Sequence, residues 1–178
     1  MEYKIELHAH TSETSNCGKL PGSQQAQGYA IAGYSTLVIT DHISAGRFAN
    51  GFRRPEDRAE MFLAGWRAAR AEGEKWGLHV LLGAEARLVS GDEDFLLLGI
   101  EPEHIAPLML LLDAEPDIFA LRDQAHAWGA GCLQAHTRRT TPRWPAGRQG
   151  RSARPSPCRC RRPPEALPCS AGGASPCR

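Results

Sequence analysis

The chain has 178 residues, with 21 Lys and Arg against 20 Asp and Glu. That length is enough for one domain with a sizeable core, but short of the about 200–250 residues of a complete α/β barrel. The near-zero balance conceals a division: residues 1–136 hold 11 Lys and Arg against 19 Asp and Glu, net −8, whereas residues 137–178 hold 10 Arg and one acid, Glu165, net +9. No run of about 18 apolar residues is present, which argues against a transmembrane helix.

The first strand is expected at Tyr3–His8. It begins without the charged start and apolar middle of a secretory signal, so a cytoplasmic location is expected. Ser23 is positioned to cap a short helix through Ala32, because its hydroxyl can accept from an orphan N–H. Ser35–Thr40 is β-branched and largely apolar, the pattern of a strand buried on both faces. A loop with Gly46, Gly51 and Arg53-Arg54 follows.

Pro55 and then Glu56-Asp57 suit a helix N-terminus. Met61, Phe62, Gly65, Trp66 and Ala69 continue one helix with one buried face to Trp76-Gly77. Leu78–Glu85 is the third strand. Arg87-Leu88-Val89 and Phe95–Leu98 read as a hairpin around Ser90-Gly91-Asp92-Glu93. Helices are expected over Pro102–Leu112 and Asp117–Trp128, and a last strand over Gly131–His136. Strand alternating with helix argues for an α/β fold with a mainly parallel sheet.

From Thr137 onward there is no Val, Ile, Phe, Tyr or Met, and Arg and Pro dominate. Such a segment buries too little apolar surface to offset chain entropy, so residues 137–178 are expected to be disordered. Arg, Pro, Ala and Gly are also what a GC-rich gene yields out of frame, so a frameshift just after His136 is the preferred account. A genuine basic, Pro-rich tail is the alternative, and it carries the rival reading of a nucleic-acid binder. The tail holds Cys158, Cys160, Cys169 and Cys177 without C-x-x-C pairs. With Cys17 and Cys132 alone in the acidic part, no disulfide framework is expected.

Chemistry gathers at the strand ends. His8 and His10 stand at i and i+2 and project together from an extended chain. On the same parity count Glu6 and Lys4 share their face. The second strand runs into Asp41-His42, the third into Glu85, and the last into His136. The carboxyl ends of strands are where α/β sheets and barrels build their sites. Imidazoles mixed with carboxylates suit zinc, manganese or iron. Paired ions of this kind favour in-line displacement at phosphorus, so phosphate ester hydrolysis is the natural reaction class. His79, His104 and His126 read as solvated or packing residues.

The ordered set His8-Ala9-His10-Thr11, Thr40-Asp41-His42, Gly83-Ala84-Glu85 and Ala135-His136 resembles the PHP (polymerase and histidinol phosphatase) family over residues 1–136. The resemblance implies an incomplete, distorted β/α barrel related to the TIM barrel, followed by the 137–178 tail. It implies two or three divalent ions in an intact member, and a small phosphorylated substrate or a nucleic-acid end as partner. Carried over residue by residue, His8 and His10 would bind one metal, Glu85 would bridge two, and His42 and His136 would complete other positions. Asp41 would orient a ligand histidine, and Arg47 would face a substrate phosphate.

The chain departs from the family in three places. An acid or His is common in the loop after the first motif, where Glu13, Ser15 and Asn16 are the candidates. A His between Glu85 and the last strand is replaced, at nearest, by Asp94. A Gly-Ser-Asp-x-His type motif is missing, which implies a barrel without its last strands and part of its metal shell. A non-enzymatic metal-binding fragment is the reading that follows if the loss is severe.

Overall fold

The computed structural model describes residues 3–49, 54–90 and 93–136. The expected tail, Gly51 and Arg53 of the loop, and Gly91-Asp92 of the hairpin turn lie outside the described residues. The elements are β1 (Ile5–Ala9), α1 (Gly22–Ile31), β2 (Thr36–Ile39), β3 (His42–Ser44), α2 (Pro55–Phe62), α3 (Ala64–Trp76), β4 (His79–Arg87), β5 (Asp94–Leu98), α4 (Pro102–Asp113), α5 (Ile118–Ala127) and β6 (Gly131–Gln134).

The sheet runs β1-β2-β4-β5-β6, with the short β3 also against β4. β1, β2, β3 and β4 pair in parallel, while β5 is antiparallel to both β4 and β6. Among the described residues five strands therefore share one direction, and β5 alone opposes them. The hairpin explains the exception, since the connection from Arg87 to Asp94 is too short for a crossover. The result is a mixed α/β fold with a sheet curled into half a barrel. No helix among the described residues is long and apolar enough to cross a membrane.

Leu37 and Ile39 pair with Val80 and Leu82, so these four lie on one face, and Ala84 and Ala86 continue it along β4. All but the half-buried Val80 are at most 4% exposed within the helix-covered core. The opposite face carries Leu81, Leu96 and Glu85. Leu81 is 50% exposed there, as is Leu133 at 53%, because the sheet does not close over them among the described residues. Elsewhere this inner face is buried, with Val38 at 3%, Leu96 at 8% and Glu85 at 0% exposed.

β1 corrects the parity count. Its register with β2 shifts between Glu6 and Ala9: Glu6 pairs with Leu37 and Ala9 with Ile39. Three steps in β1 thus match two in β2, as at a bulge. Glu6 falls on the helix-covered face, with the Tyr29 hydroxyl of α1 3.5 Å from its carboxylate. His8 and His10 fall on the inner face. The histidines do share a side, but Glu6 does not share it with them.

The expected single helix from Pro55 is two helices, turned at the buried Leu63. Leu63 keeps both its helical hydrogen bonds, to Ala59 and from Arg67. The turn lets α2 lie on α4 and α3 on α1. Ser23 does not cap α1. The Glu13 carboxylate does so from outside the helix, accepting from Gly22 N–H at 3.0 and 3.1 Å. Gly77, with φ 68°, closes α3 in the left-handed region that favours glycine.

Gly65 is where α3 meets the first loop. A Cβ there would stand 1.9 Å from Thr11 Oγ1 and 2.7 Å from Thr11 Cβ. Thr11 is itself tied by two hydrogen bonds to Asp41 and has no room to yield. Gly65→Ala is expected to cost about 1–3 kcal/mol, the range for overpacking, read as a lower urea midpoint at constant slope. An unchanged midpoint would refute this close approach.

Candidate metal centre

Five side chains from four strand ends meet at the carboxyl edge of the inner face. Glu85 Oε2 lies 3.1 Å from His10 Nε2, 3.1 Å from His42 Nδ1 and 3.5 Å from His8 Nε2. Glu85 Oε1 lies 3.3 Å from His136 Nε2. His8 Nε2 and His10 Nε2 are 2.8 Å apart, and the His10 and His42 rings stack with centroids 4.5 Å apart. The structure thus brings together His8, His10, His42, Glu85 and His136. His10 and Glu85 are deeply buried, whereas His136 is half exposed.

Polar accounting of this cluster does not close. Neither Glu85 oxygen nor His10 Nδ1 has a hydrogen-bond partner of acceptable geometry, although all three atoms are buried. A buried carboxylate left in that state is costly. Burial opposes its ionisation, but the imidazoles of His10, His8 and His42 outweigh burial and hold Glu85 below the usual carboxylate range. Burial pushes His42 down to about 4, against the pull of Glu85. Nitrogens with lone pairs to give, set around a buried carboxylate, fit a cation. Among the described residues two groups have donor atoms within 4.8 Å of one another: His8, Glu85 and His136, and His10, Cys17 and His42.

Asp41 sits beneath the cluster and is 1% exposed. Its Oδ1 accepts from the Thr11 N–H and the Ser15 hydroxyl, and its Oδ2 from the Thr11 hydroxyl, each at 2.7 Å. Ser15 Oγ in turn accepts from the His42 N–H at 2.9 Å. Burial raises the Asp41 pKa against the lowering effect of these hydrogen bonds. Among the described residues, the hydrogen-bond donors to Asp41 are loop groups, not an imidazole. Its hold on the histidines runs through the 11–15 loop and the backbone of His42.

The other candidates fall as follows. Arg47 donates to the Thr14 carbonyl, and its guanidinium lies 4.6 Å from the Phe48 ring centroid. Of the loop candidates, Glu13 caps α1 and Ser15 serves Asp41. Asp94 receives Arg87 at 2.6 Å through both oxygens. His104 closes the first turn of α4, accepting the Glu101 N–H at 3.0 Å, and stacks on Trp128. His79 is exposed at the start of β4, and His126 is exposed in the last turn of α5.

Solved structures resemble parts of this chain. No family model matches the chain, and no curated protein matches it. A two-domain protein from Bacteroides vulgatus containing a predicted PHP-like metal-dependent phosphoesterase matches over 73% of this chain and 34% of its own, at 16% identity and a TM-score of 0.50. A protein from Bifidobacterium adolescentis assigned as a metal-dependent phosphoesterase matches over 62% and 33%, at 23% identity and a TM-score of 0.43. An amidohydrolase from Chromobacterium violaceum, with sulfate bound and no metal, matches over 56% and 28%, at 23% identity and a TM-score of 0.39. The chain spans about a third of the length of these structures. The Bacteroides vulgatus likeness shows a shared fold.

The centre contains one residue the strand-end reasoning passes over. Cys17, half-buried in the loop after the first motif, joins His10 and His42. A search of that loop for acids or histidine overlooks it, although a thiolate is as good a ligand for zinc.

Proposed function

We propose that this chain carries the metal-binding half of a PHP-type phosphoesterase, hydrolysing a small phosphorylated substrate or a nucleic-acid end with zinc, manganese or iron. The observation that carries the reading is the buried Glu85 carboxylate, unpartnered by hydrogen bonds, with four imidazoles within 3.5 Å. The fold shared with the Bacteroides vulgatus protein supports it.

In this reading His8, Glu85 and His136 hold one ion, and His10 and His42 hold another. Bound divalent ions supply Lewis acidity, acidifying water and neutralising charge on phosphate oxygens. Asp41 positions the donors by tying Thr11 and Ser15, on either side of the loop turn, to His42. Arg47 supplies a cation for a non-bridging phosphate oxygen, its guanidinium steered by the Thr14 carbonyl. Burial keeps His42 neutral at pH 7, with a nitrogen lone pair to donate.

Purified chain assayed on p-nitrophenyl phosphate should turn over with added manganese or zinc and stop with EDTA. Metal binding without any turnover on phosphomonoesters or on DNA ends would overturn the enzymatic reading in favour of a metal-binding protein.

A further inference from the structure

We infer that Cys17 is a thiolate ligand, so that the His10–His42 side of the centre is a mixed nitrogen and sulfur site selective for zinc over manganese. The inference rests on the metal-centre reading above and extends it to the identity of one ligand and one ion.

Three observations carry it. One donor atom from each of His10, Cys17 and His42 lies within 4.8 Å of the other two. An ion about 2.0–2.1 Å from each nitrogen and 2.3 Å from sulfur needs donors separated by somewhat less than that. The second observation is independent of the cysteine. The side chains of His10 and Glu85 are 0% exposed, and Glu85 Oε2 stands 3.1 Å from a ring nitrogen of both His10 and His42. A fully buried, hydrogen-bond-orphaned carboxylate is therefore aimed at the two histidines that flank Cys17.

The third observation is how the loop is held. Ser12 N–H donates to Leu20 O at 3.0 Å, Ser15 N–H to Thr11 O at 2.9 Å and Gly18 N–H to Ser15 O at 2.9 Å. A Cβ at Gly18 would stand 2.2 Å from Thr11 O, so the chain doubles back tightly just after Cys17. Ser15, two residues before Cys17, is locked between Asp41 and the backbone of His42. The sulfur is thus presented by a loop pinned on both sides.

Thiolate is the softest donor a protein offers besides thioether, and it favours zinc, whereas manganese favours carboxylate, carbonyl and water. Two imidazoles and one thiolate make a three-donor zinc set that leaves the fourth tetrahedral position open.

The test uses cobalt as a spectroscopic stand-in for zinc. Cobalt added to the whole chain should produce visible d–d bands together with a near-ultraviolet thiolate-to-metal charge-transfer band. The second band should vanish in Cys17→Ser and persist in Cys132→Ser. In the unmodified chain, zinc should slow alkylation of Cys17 by about tenfold or more, because a coordinated thiolate is a poorer nucleophile than a free one. The alkylated peptide is read by mass spectrometry, so this arm does not depend on a variant folding. Visible bands without charge transfer, a charge-transfer band that survives Cys17→Ser, or unprotected Cys17 would each overturn the thiolate ligand while leaving the metal centre standing. No cobalt spectrum and no zinc-induced thermal shift would overturn both.

Discussion

Glu85→Gln is expected to abolish most of the stabilisation that bound metal confers. A ligand that binds only the folded chain stabilises it by about 2.7 kcal/mol at one hundred times its dissociation constant. For a chain of this size that is a rise in Tm of about 5–10 °C, at about 2–4 °C per kcal/mol. Glutamine preserves the shape of the side chain but removes the negative charge that faces four imidazoles. The variant should fold, because the exchange conserves side-chain volume and introduces no new charge. Its thermal shift with zinc or manganese should fall to about 2 °C or less on the same scale, and its metal content after gel filtration should drop in step. A shift equal to that of the unmodified chain would mean that the ions sit elsewhere.

Asp41→Ala should be the most destabilising single change near the site. It strands three buried donors: the Thr11 N–H, the Thr11 hydroxyl and the Ser15 hydroxyl. Each buried donor left unpaired costs about 1–3 kcal/mol, and the bonds to a charged acceptor lie at the upper end. The loss is partly offset, because burial already disfavours the Asp41 carboxylate. A net cost of about 3 kcal/mol or more is expected from urea denaturation. Asp41→Asn retains an acceptor for the Thr11 N–H and Ser15, and should cost less than half as much. Zinc affinity of the alanine variant should fall by about 10–100-fold, the usual effect of removing a group that orients ligands without touching the metal. An alanine variant within 1 kcal/mol of the unmodified chain would show that the loop holds its shape without Asp41.

Elements with a local signature were legible from the residues. The helix starts at Asp117 and Pro102 and the helix end at Trp76-Gly77 stand where expected. The hairpin forms too, but its first arm is the end of the third strand, Gly83–Arg87 of β4, rather than a separate Arg87–Val89. The placement of His8, His42, Glu85 and His136 near strand ends was equally local, since each stands within two residues of a segment with a strand pattern. β3 was not legible: His42–Ser44 is three residues long, and only its pairing with Glu85–Arg87 makes it a strand. The division at Leu63 was not legible either, because the helical periodicity runs through it without proline and the turn answers to packing on α1 and α4.

Sequence by itself determined the alternation of strand and helix and the placing of a donor at the end of four strands, because periodicity, capping and turn chemistry act over a few neighbouring residues. Only the tertiary structure decided what those donors meet. The register shift in β1 turned Glu6 away from the histidines, the first loop sent Glu13 to a helix end and Ser15 to Asp41, and the same loop carried Cys17 to His10 and His42. Those outcomes depend on how strands pair and where a loop is pinned by residues about thirty positions away, and no local pattern encodes such contacts.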